Sequence, residues 1–184
     1  MNGIQRIAKI FMKIMEIGHW VAAGLMGAVG ILSAAAPQWL KFVMDVEALK
    51  EEREISVYGF EVTAANSAGQ INYVTLLLLA IGGVIIYVLM ALVFRSLNRI
   101  ITTAADSTPF QESNIRMLTW IGRFCILIPV IGFVMSIIIR LVVGADAVEI
   151  SIDQSGVVMG IVVLCLTQYF VHGAKLEKEV DGLL

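Results

Sequence analysis

Three side chains in this sequence are of the types that hold a metal ion or move a proton. Glu16 precedes His19 by three residues, and His172 stands far along the chain, at the end of another apolar run. Their spacing matches no metal motif such as H-E-x-x-H, which favours local hydrogen bonding over metal binding. The sequence has no G-x-S-x-G motif, no Walker loop and no pair of carboxylates inside an apolar run. It therefore predicts a protein that is not an enzyme, with no catalytic residue, cofactor or metal.

A second set of side chains lies near the ends of apolar runs and could line a pocket between helices. The set is His19, Trp20, Gln168 and His172. Polar groups in a membrane are costly, so they tend to mark functional positions. A pocket lined by this set would suit a lipid or a small molecule. A transport accessory protein that binds such a ligand is therefore the alternative function that the sequence leaves open.

The composition indicates which elements must position these residues. The 184 residues are 59% hydrophobic and only 15% charged, whereas soluble domains are roughly 45–50% apolar and about 25% charged. A membrane span needs about 20 apolar residues, and four segments qualify: 17–36, 73–94, 120–143 and 153–172. The sequence predicts an all-α membrane protein, with one four-transmembrane-helix bundle over residues 1–184.

Lysine and arginine divide unequally between the two sides of this bundle. The side that holds both termini and the loop after the second span carries Arg6, Lys9, Lys13, Arg95, Arg99, Arg116, Arg123, Lys175 and Lys178. The other side carries Lys41, Lys50, Arg53 and Arg140. Basic residues favour the cytoplasmic side. The sequence thus predicts a multi-pass protein with both termini in the cytoplasm.

The two outer segments, 37–72 and 144–152, carry strand patterns. Residues 55–60 alternate in character, with Gly59 as a turn, and residues 147–153 alternate in the same way. Because a lone hairpin is marginal in water, we expect a third strand from 147–153 to complete a small extracytoplasmic β cap. A lid over the helix ends and a ligand-sensing cap both remain open, and the lid is favoured because no aromatic cage or metal cluster is present.

The inner segments are predicted to be helical. Residues 1–16 form a basic amphipathic helix suited to an anionic membrane surface, before the chain turns into the first span. In the inner hairpin 95–119, Thr108 is an N-cap and Pro109 fits the first helical turn. The inner tail covers 173–184.

Small residues in two spans predict close helix contacts. Gly24 and Gly27 lie in the first span, and Gly156 and Gly160 open the fourth. Such spacing lets helix backbones approach each other. The same faces could join two copies of the chain, so a homo-oligomer remains open.

Two stretches, "TPFQESNIRMLTWIG" and "QYFVHGAKLEKEVDG", resemble the bacterial membrane-protein family called domain of unknown function 2975. Matching positions in the first stretch are Pro109, Phe110, Asn114 and Gly122. Those in the second are Phe170, Gly173, Leu176, Glu179 and Asp181. The chain departs from the family in having Ser107 and Thr108 where a glycine is common.

The resemblance implies four spans and a bacterial inner membrane, and the family has no assigned activity. Its members are often encoded beside a small helix-turn-helix regulator, which implies membrane control of a transcription factor. We therefore expect a regulatory or sensory protein that lies in the lipid bilayer and binds a cytoplasmic partner, such as a helix-turn-helix regulator, without binding nucleic acid itself. The residues predicted to bind the partner are Arg99, Pro109, Phe110, Asn114, Arg116, Lys175 and Glu179.

Overall fold

Each apolar run of the sequence forms one long helix in the computed structural model of the protein. The structure describes residues 3–43, 54–65, 70–103 and 110–181. Its elements within these ranges are α1 (Gly3–Ala35), α2 (Pro37–Val43), β1 (Glu54–Val57), β2 (Phe60–Thr63), α3 (Tyr73–Thr103), α4 (Glu112–Val142), the 3-10 turn Ala145–Ala147 and α5 (Gln154–Asp181).

The helices α1, α3, α4 and α5 are each long and apolar enough to cross a membrane. With the small sheet of β1 and β2, they confirm the predicted fold class, an all-α four-helix bundle with a small β cap. The 31 residues of α3 extend over roughly 46 Å at about 1.5 Å per residue. A hydrocarbon core is about 30 Å thick, so α3 continues well past its apolar run.

The first helix differs from the expectation at its N-terminal end. We expected the chain to turn between the amphipathic segment 1–16 and the first span, but residues 3–35 form one continuous helix. Its apolar face is exposed at Ile4, Ile7, Phe11 and Ile14. An exposed apolar stripe opposite basic side chains suits contact with lipid. The amphipathic segment is thus an extension of the span.

The start of α4 also differs from the expectation. Thr108 and Pro109 lie outside the described residues, and the helix begins at Glu112, after the position that Pro109 was predicted to hold. The carbonyl oxygen of Gln111 accepts hydrogen bonds from the N–H groups of Asn114 (2.9 Å) and Ile115 (3.2 Å). Gln111 therefore occupies the position at which the first helical hydrogen bonds begin.

The contacts of the chain divide it into two compact units. The first unit comprises Met1–His19, Leu89–Leu127 and Ser155–Leu184. The second unit comprises Trp20–Val88 and Ile128–Gln154. The hairpin of β1 and β2 belongs to the second unit.

The strands β1 and β2 pair antiparallel, with Val57 opposite Phe60. The turn residues Tyr58 and Gly59 have φ angles of +50° and +79°. Positive φ at both central residues matches the twist of a two-residue hairpin, and glycine adopts it without steric cost. The turn predicted at Gly59 is therefore the tip of this hairpin.

The hairpin is fixed to the helices by Phe60, which is 1% exposed. Glycines face its ring and backbone: a methyl group built on Gly82 would lie 3.0 Å from Phe60 Cε1, and one built on Gly132 would lie 3.3 Å from Phe60 Cβ. The side chain of Met135 lies beside Gly82 as well. Two helices therefore leave room for one phenyl ring by lacking side chains.

These contacts lie well along the helices and not at their ends. Gly82 is nine residues from the start of α3 at Tyr73, and Gly132 is ten residues from the end of α4 at Val142. Each distance corresponds to roughly 14–15 Å of helix. The β cap is thus inserted beside the helices, whereas a lid over their ends was expected.

The expected third strand from 147–153 is not part of the sheet, which has two strands among the described residues. The 3-10 turn before it contacts β2, and the N–H of Ala147 donates to the carbonyl oxygen of Gly144 (3.4 Å). The turn includes the first residue of the expected strand, and residues 148–153 have no regular secondary structure.

In the first unit, α4 and α5 approach closely at Gly122 and Gly160. A methyl group built on Gly160 would lie 2.5 Å from Ile126 Cγ1 and 2.8 Å from the carbonyl oxygen of Gly122. Of the other glycines predicted for helix packing, Gly24 faces no atom within 4 Å, and Gly27 faces only Val84 at 3.8 Å. Gly156 lies in the first turn of α5 and is half-buried.

Gly160→Ala should lower the free energy of unfolding by about 1–3 kcal/mol, because the added methyl meets backbone atoms that cannot move aside cheaply. Gly24→Ala is the matched control in open space, and it should raise that free energy by up to about 1 kcal/mol through helix propensity. Unfolding in mixed detergent micelles measures both. Equal effects of the two variants would contradict the close approach.

A double-mutant cycle tests the contact between Phe60 and Gly82. Phe60→Ala should lower the free energy of unfolding by about 3–5 kcal/mol. Gly82→Ala should cost less in the Phe60→Ala background than in the wild type, by about 0.5–3 kcal/mol, since the ring is then gone. Unfolding in micelles is measured for the wild type, the two single variants and the double variant. If the two changes in the free energy of unfolding were strictly additive, the Phe60 ring would not occupy the space beside Gly82.

Candidate functional site

The residues predicted to bind a partner begin with Phe110, which lies just before α4 in the first unit. Its ring centroid is 5.7 Å from that of Phe170, with the ring planes at 56°. A methyl group built on Gly173 would lie 2.6 Å from Phe110 Cε1, so the ring rests on a bare patch of α5. The structure therefore brings two predicted family positions of α5 against Phe110, and this contact ties the start of α4 to α5.

Asn114 lies in the first turn of α4 and is 1% exposed. A side chain this buried cannot contact a partner directly. The described part of the chain therefore places Asn114 inside the unit and not on its surface, whereas Pro109 lies outside the described residues.

The four charged residues of the predicted set are all exposed: Arg99, Arg116, Lys175 and Glu179. Arg116 lies 3.8 Å from Glu112, one helical turn away, and both side chains are largely in solvent. Exposed pairs of this kind contribute little to stability. These charges are thus available to an interacting molecule, and with Phe110 (36% exposed) we call them the partner surface.

The predicted pocket residues have unlike surroundings. His19 is buried, its Nδ1 donates to the carbonyl oxygen of Met15 (2.7 Å), and its ring centroid lies 5.0 Å from that of Phe94. Trp20, Gln168 and His172 are exposed. His19 is thus held by its own helix and by an aromatic neighbour.

Glu16, His19 and His172 do not form a metal-binding cluster. Glu16 is buried and its Oε2 accepts a hydrogen bond from Lys13 Nζ at 3.0 Å, while His19 uses Met15. Over the described parts of the chain, no group of three His, Cys, Asp or Glu side chains is placed to hold a metal ion.

The structure also contains a polar cavity that the sequence analysis missed. It measures about 240 Å³, lies in the second unit, and is lined by Glu54, Glu61, Val62, Thr63, Arg140, Ala145, Asp146, Val148 and Glu149. The sequence contains a signal for it, because Glu54, Glu61, Asp146 and Glu149 all lie in the two segments predicted to be on the same side of the bundle as Arg140.

Arg140 lies in the last turn of α4 and is exposed. Among the described residues it forms no ion pair within 4.0 Å, although Glu149 lines the same cavity. Asp153 lies elsewhere, with its Cβ 2.7 Å from the position of a methyl group built on Gly59. The side chain of Asp153 therefore lies against the tip of the hairpin.

The four helices and the inserted hairpin define the class of this molecule as a multi-pass membrane protein with a small β cap. Residues 34–182 match the family described as Protein of unknown function (DUF2975). The chain belongs to this family, as its resemblance had indicated. The comparison with curated proteins found no match, and the comparison with solved structures found none.

Phe110→Ala should lower the free energy of unfolding by about 2 kcal/mol, below the full cost of a buried phenylalanine because the ring is partly exposed. Phe11→Ala is the matched control, since Phe11 is 54% exposed on α1; its effect should stay within about 0.5 kcal/mol. Unfolding in micelles with far-UV circular dichroism gives both values. A neutral Phe110→Ala would mean that the ring does not tie α4 to α5.

Proposed function

We propose that this protein is a regulatory or sensory protein of the bacterial inner membrane that binds a cytoplasmic partner. The observation that carries the proposal is the partner surface. Its charged residues are exposed on α3, α4 and α5 of the first unit, and its Phe110 packs on Gly173 and Phe170. A fixed backbone reduces the ordering cost of binding, and exposed charges of both signs favour selective association.

The orientation is part of the proposal. The first unit contains nine of the basic residues: Arg6, Lys9, Lys13, Arg95, Arg99, Arg116, Arg123, Lys175 and Lys178. In the second unit, the lining of the polar cavity has four carboxylates and one arginine. The positive-inside tendency supports a cytoplasmic first unit, with both termini on that side and the β cap on the other.

The partner class comes from the family resemblance. Members of the family are often encoded beside a helix-turn-helix regulator, and a membrane protein that holds such a regulator would control transcription by withholding it from DNA. No chemistry at the partner surface is required for this role, so the proposal includes no catalytic step and no cofactor. The proposal also leaves DNA contact to the regulator.

Co-purification from native membranes tests the proposal. The wild type should retain a cytoplasmic protein, and Lys175→Glu and Arg116→Glu should each reduce the retained amount roughly tenfold, because an attractive charge becomes repulsive. Glu149→Lys is the matched control, since it reverses an exposed charge of the second unit and should change nothing.

Two further measurements complete this test. A reporter fused after Leu184 should be active only in its cytoplasmic form. Mass spectrometry of the retained protein should identify a helix-turn-helix regulator. Retention of no cytoplasmic protein by the wild type, or equal retention by Lys175→Glu and Glu149→Lys, would overturn the proposed function.

A further inference from the structure

A groove of about 430 Å³ lies between α3 and α4 in the first unit, in the size range of roughly 300–1,000 Å³ that ligand sites have. Its walls come from two helices and are Leu92, Arg95, Ser96, Arg99, Met117, Trp120 and Phe124. No function discussed so far uses this groove as a binding site.

The groove has an apolar part and a basic part. On α3, the uncharged run ends at Phe94 and Arg95 is the first charged residue after it. On α4, Arg123 is the last charged residue before the apolar run. The groove therefore lies at the level where both helices pass from polar surroundings into the membrane.

Aromatic rings mark the same level. The rings of Trp120 and Phe124 are stacked at 5.6 Å and 29°, and the Arg123 guanidinium lies 5.3 Å from the centre of the Trp120 ring. Tryptophan at this depth is typical of the membrane interface. Arg123 thus contacts an aromatic residue of the groove, although its own side chain does not line the groove.

The two arginines of the groove are placed to act together. Arg95 and Arg99 are four residues apart on a helix, so they share one face, and both are exposed. Within the described ranges of the chain, neither has a carboxylate within 4.0 Å. Ser96 donates its hydroxyl proton to the carbonyl oxygen of Leu92 (2.8 Å). The charged donors that the groove offers an anion are therefore the two guanidinium groups, beside the neutral indole N–H of Trp120.

We propose that this groove binds an anionic phospholipid. The phosphate lies between the Arg95 and Arg99 guanidinium groups, and an acyl chain lies along Leu92, Met117 and Phe124. Arginine forms charge-assisted hydrogen bonds with phosphate, and basic pockets between spanning helices suit anionic headgroups. The two guanidinium groups of the groove disfavour the cationic headgroup of a zwitterionic lipid, and the apolar half of the groove is at a depth that acyl chains occupy.

The test uses the purified full-length protein in detergent, titrated with phosphatidylglycerol or phosphatidylcholine and measured by native mass spectrometry. The wild type should retain phosphatidylglycerol in preference to phosphatidylcholine. R95Q/R99Q should weaken phosphatidylglycerol retention roughly tenfold or more, as expected for two lost cations near a headgroup. Lys178→Gln is the matched control, because it removes one exposed positive charge of the same unit that belongs neither to the groove nor to the partner surface, and it should retain the lipid as the wild type does.

Two results would overturn the inference. One is equal retention of phosphatidylglycerol by the wild type, R95Q/R99Q and Lys178→Gln, or equal retention of both lipids by the wild type, since either means unselective lipid contact. The other is displacement of the lipid by an equal concentration of glycerol 3-phosphate, which would make this an anion site with no acyl-chain contact.

The single variants Arg95→Gln and Arg99→Gln should each lose part of the phosphatidylglycerol retention. Circular dichroism checks that each variant is folded, and the single variants decide the test if the double variant is not. No cytoplasmic protein is present in this measurement. Its outcome is therefore separate from the outcome of the co-purification experiment.

Discussion

This structure depends on helices that approach each other closely at glycines, where there is no side chain to hold them apart. In lipid, no hydrophobic effect drives helices together, so contact must come from packing of backbone and small groups. Gly160 meets the backbone of Gly122, and in the second unit Gly30 meets Ala80, where a methyl on the glycine would lie 2.9 Å from the alanine Cβ. A side chain at either glycine would hold the helices apart and remove these contacts.

Glycines also provide the space for two aromatic residues, Phe60 in the hairpin and Phe110 before α4, which attach these non-helical segments to the helices. Phe60 fills the space left by Gly82 and Gly132, and Phe110 covers Gly173. In each case a large ring contributes the contact area and a glycine provides the space for it. Non-helical backbone beside spanning helices must be covered by protein, and the burial of Phe60, Val62 and Ala64 shows that the hairpin is covered in this way.

Much of the fold could be predicted from the sequence, because its signals are local. Long uncharged runs predicted the four helices, and alternation with Gly59 predicted a hairpin turn at that position. The helix start predicted at Thr108 and Pro109 is too early, because a capping motif is local whereas Phe110 packs on residues of α5 that are distant in sequence. The strand expected at 147–153 likewise needs a partner distant in sequence, and the sheet has two strands among the described residues.

Some features of the candidate site could be predicted and others could not, because exposure follows from residue type whereas burial depends on long-range packing. The exposure of Arg116 and Lys175 follows from their charge, whereas the burial of Asn114 depends on what packs around the first turn of α4. Gly24 and Gly160 have similar sequence surroundings, yet only Gly160 faces another helix closely. Periodicity identifies a small residue on a helix, but the neighbour it faces is set by the arrangement of all the helices.

The slot around Phe60 changes how glycine in a membrane span should be interpreted. Gly82 and Gly132 would ordinarily indicate that two spans touch each other there. In this protein they are needed because the hairpin lies between the two spans there, with the Phe60 side chain in the space between them. A relative that lost the hairpin would no longer need glycine at either position, and larger residues could then close α3 onto α4. Loss of the loop and enlargement of the two glycines should therefore occur together in evolution.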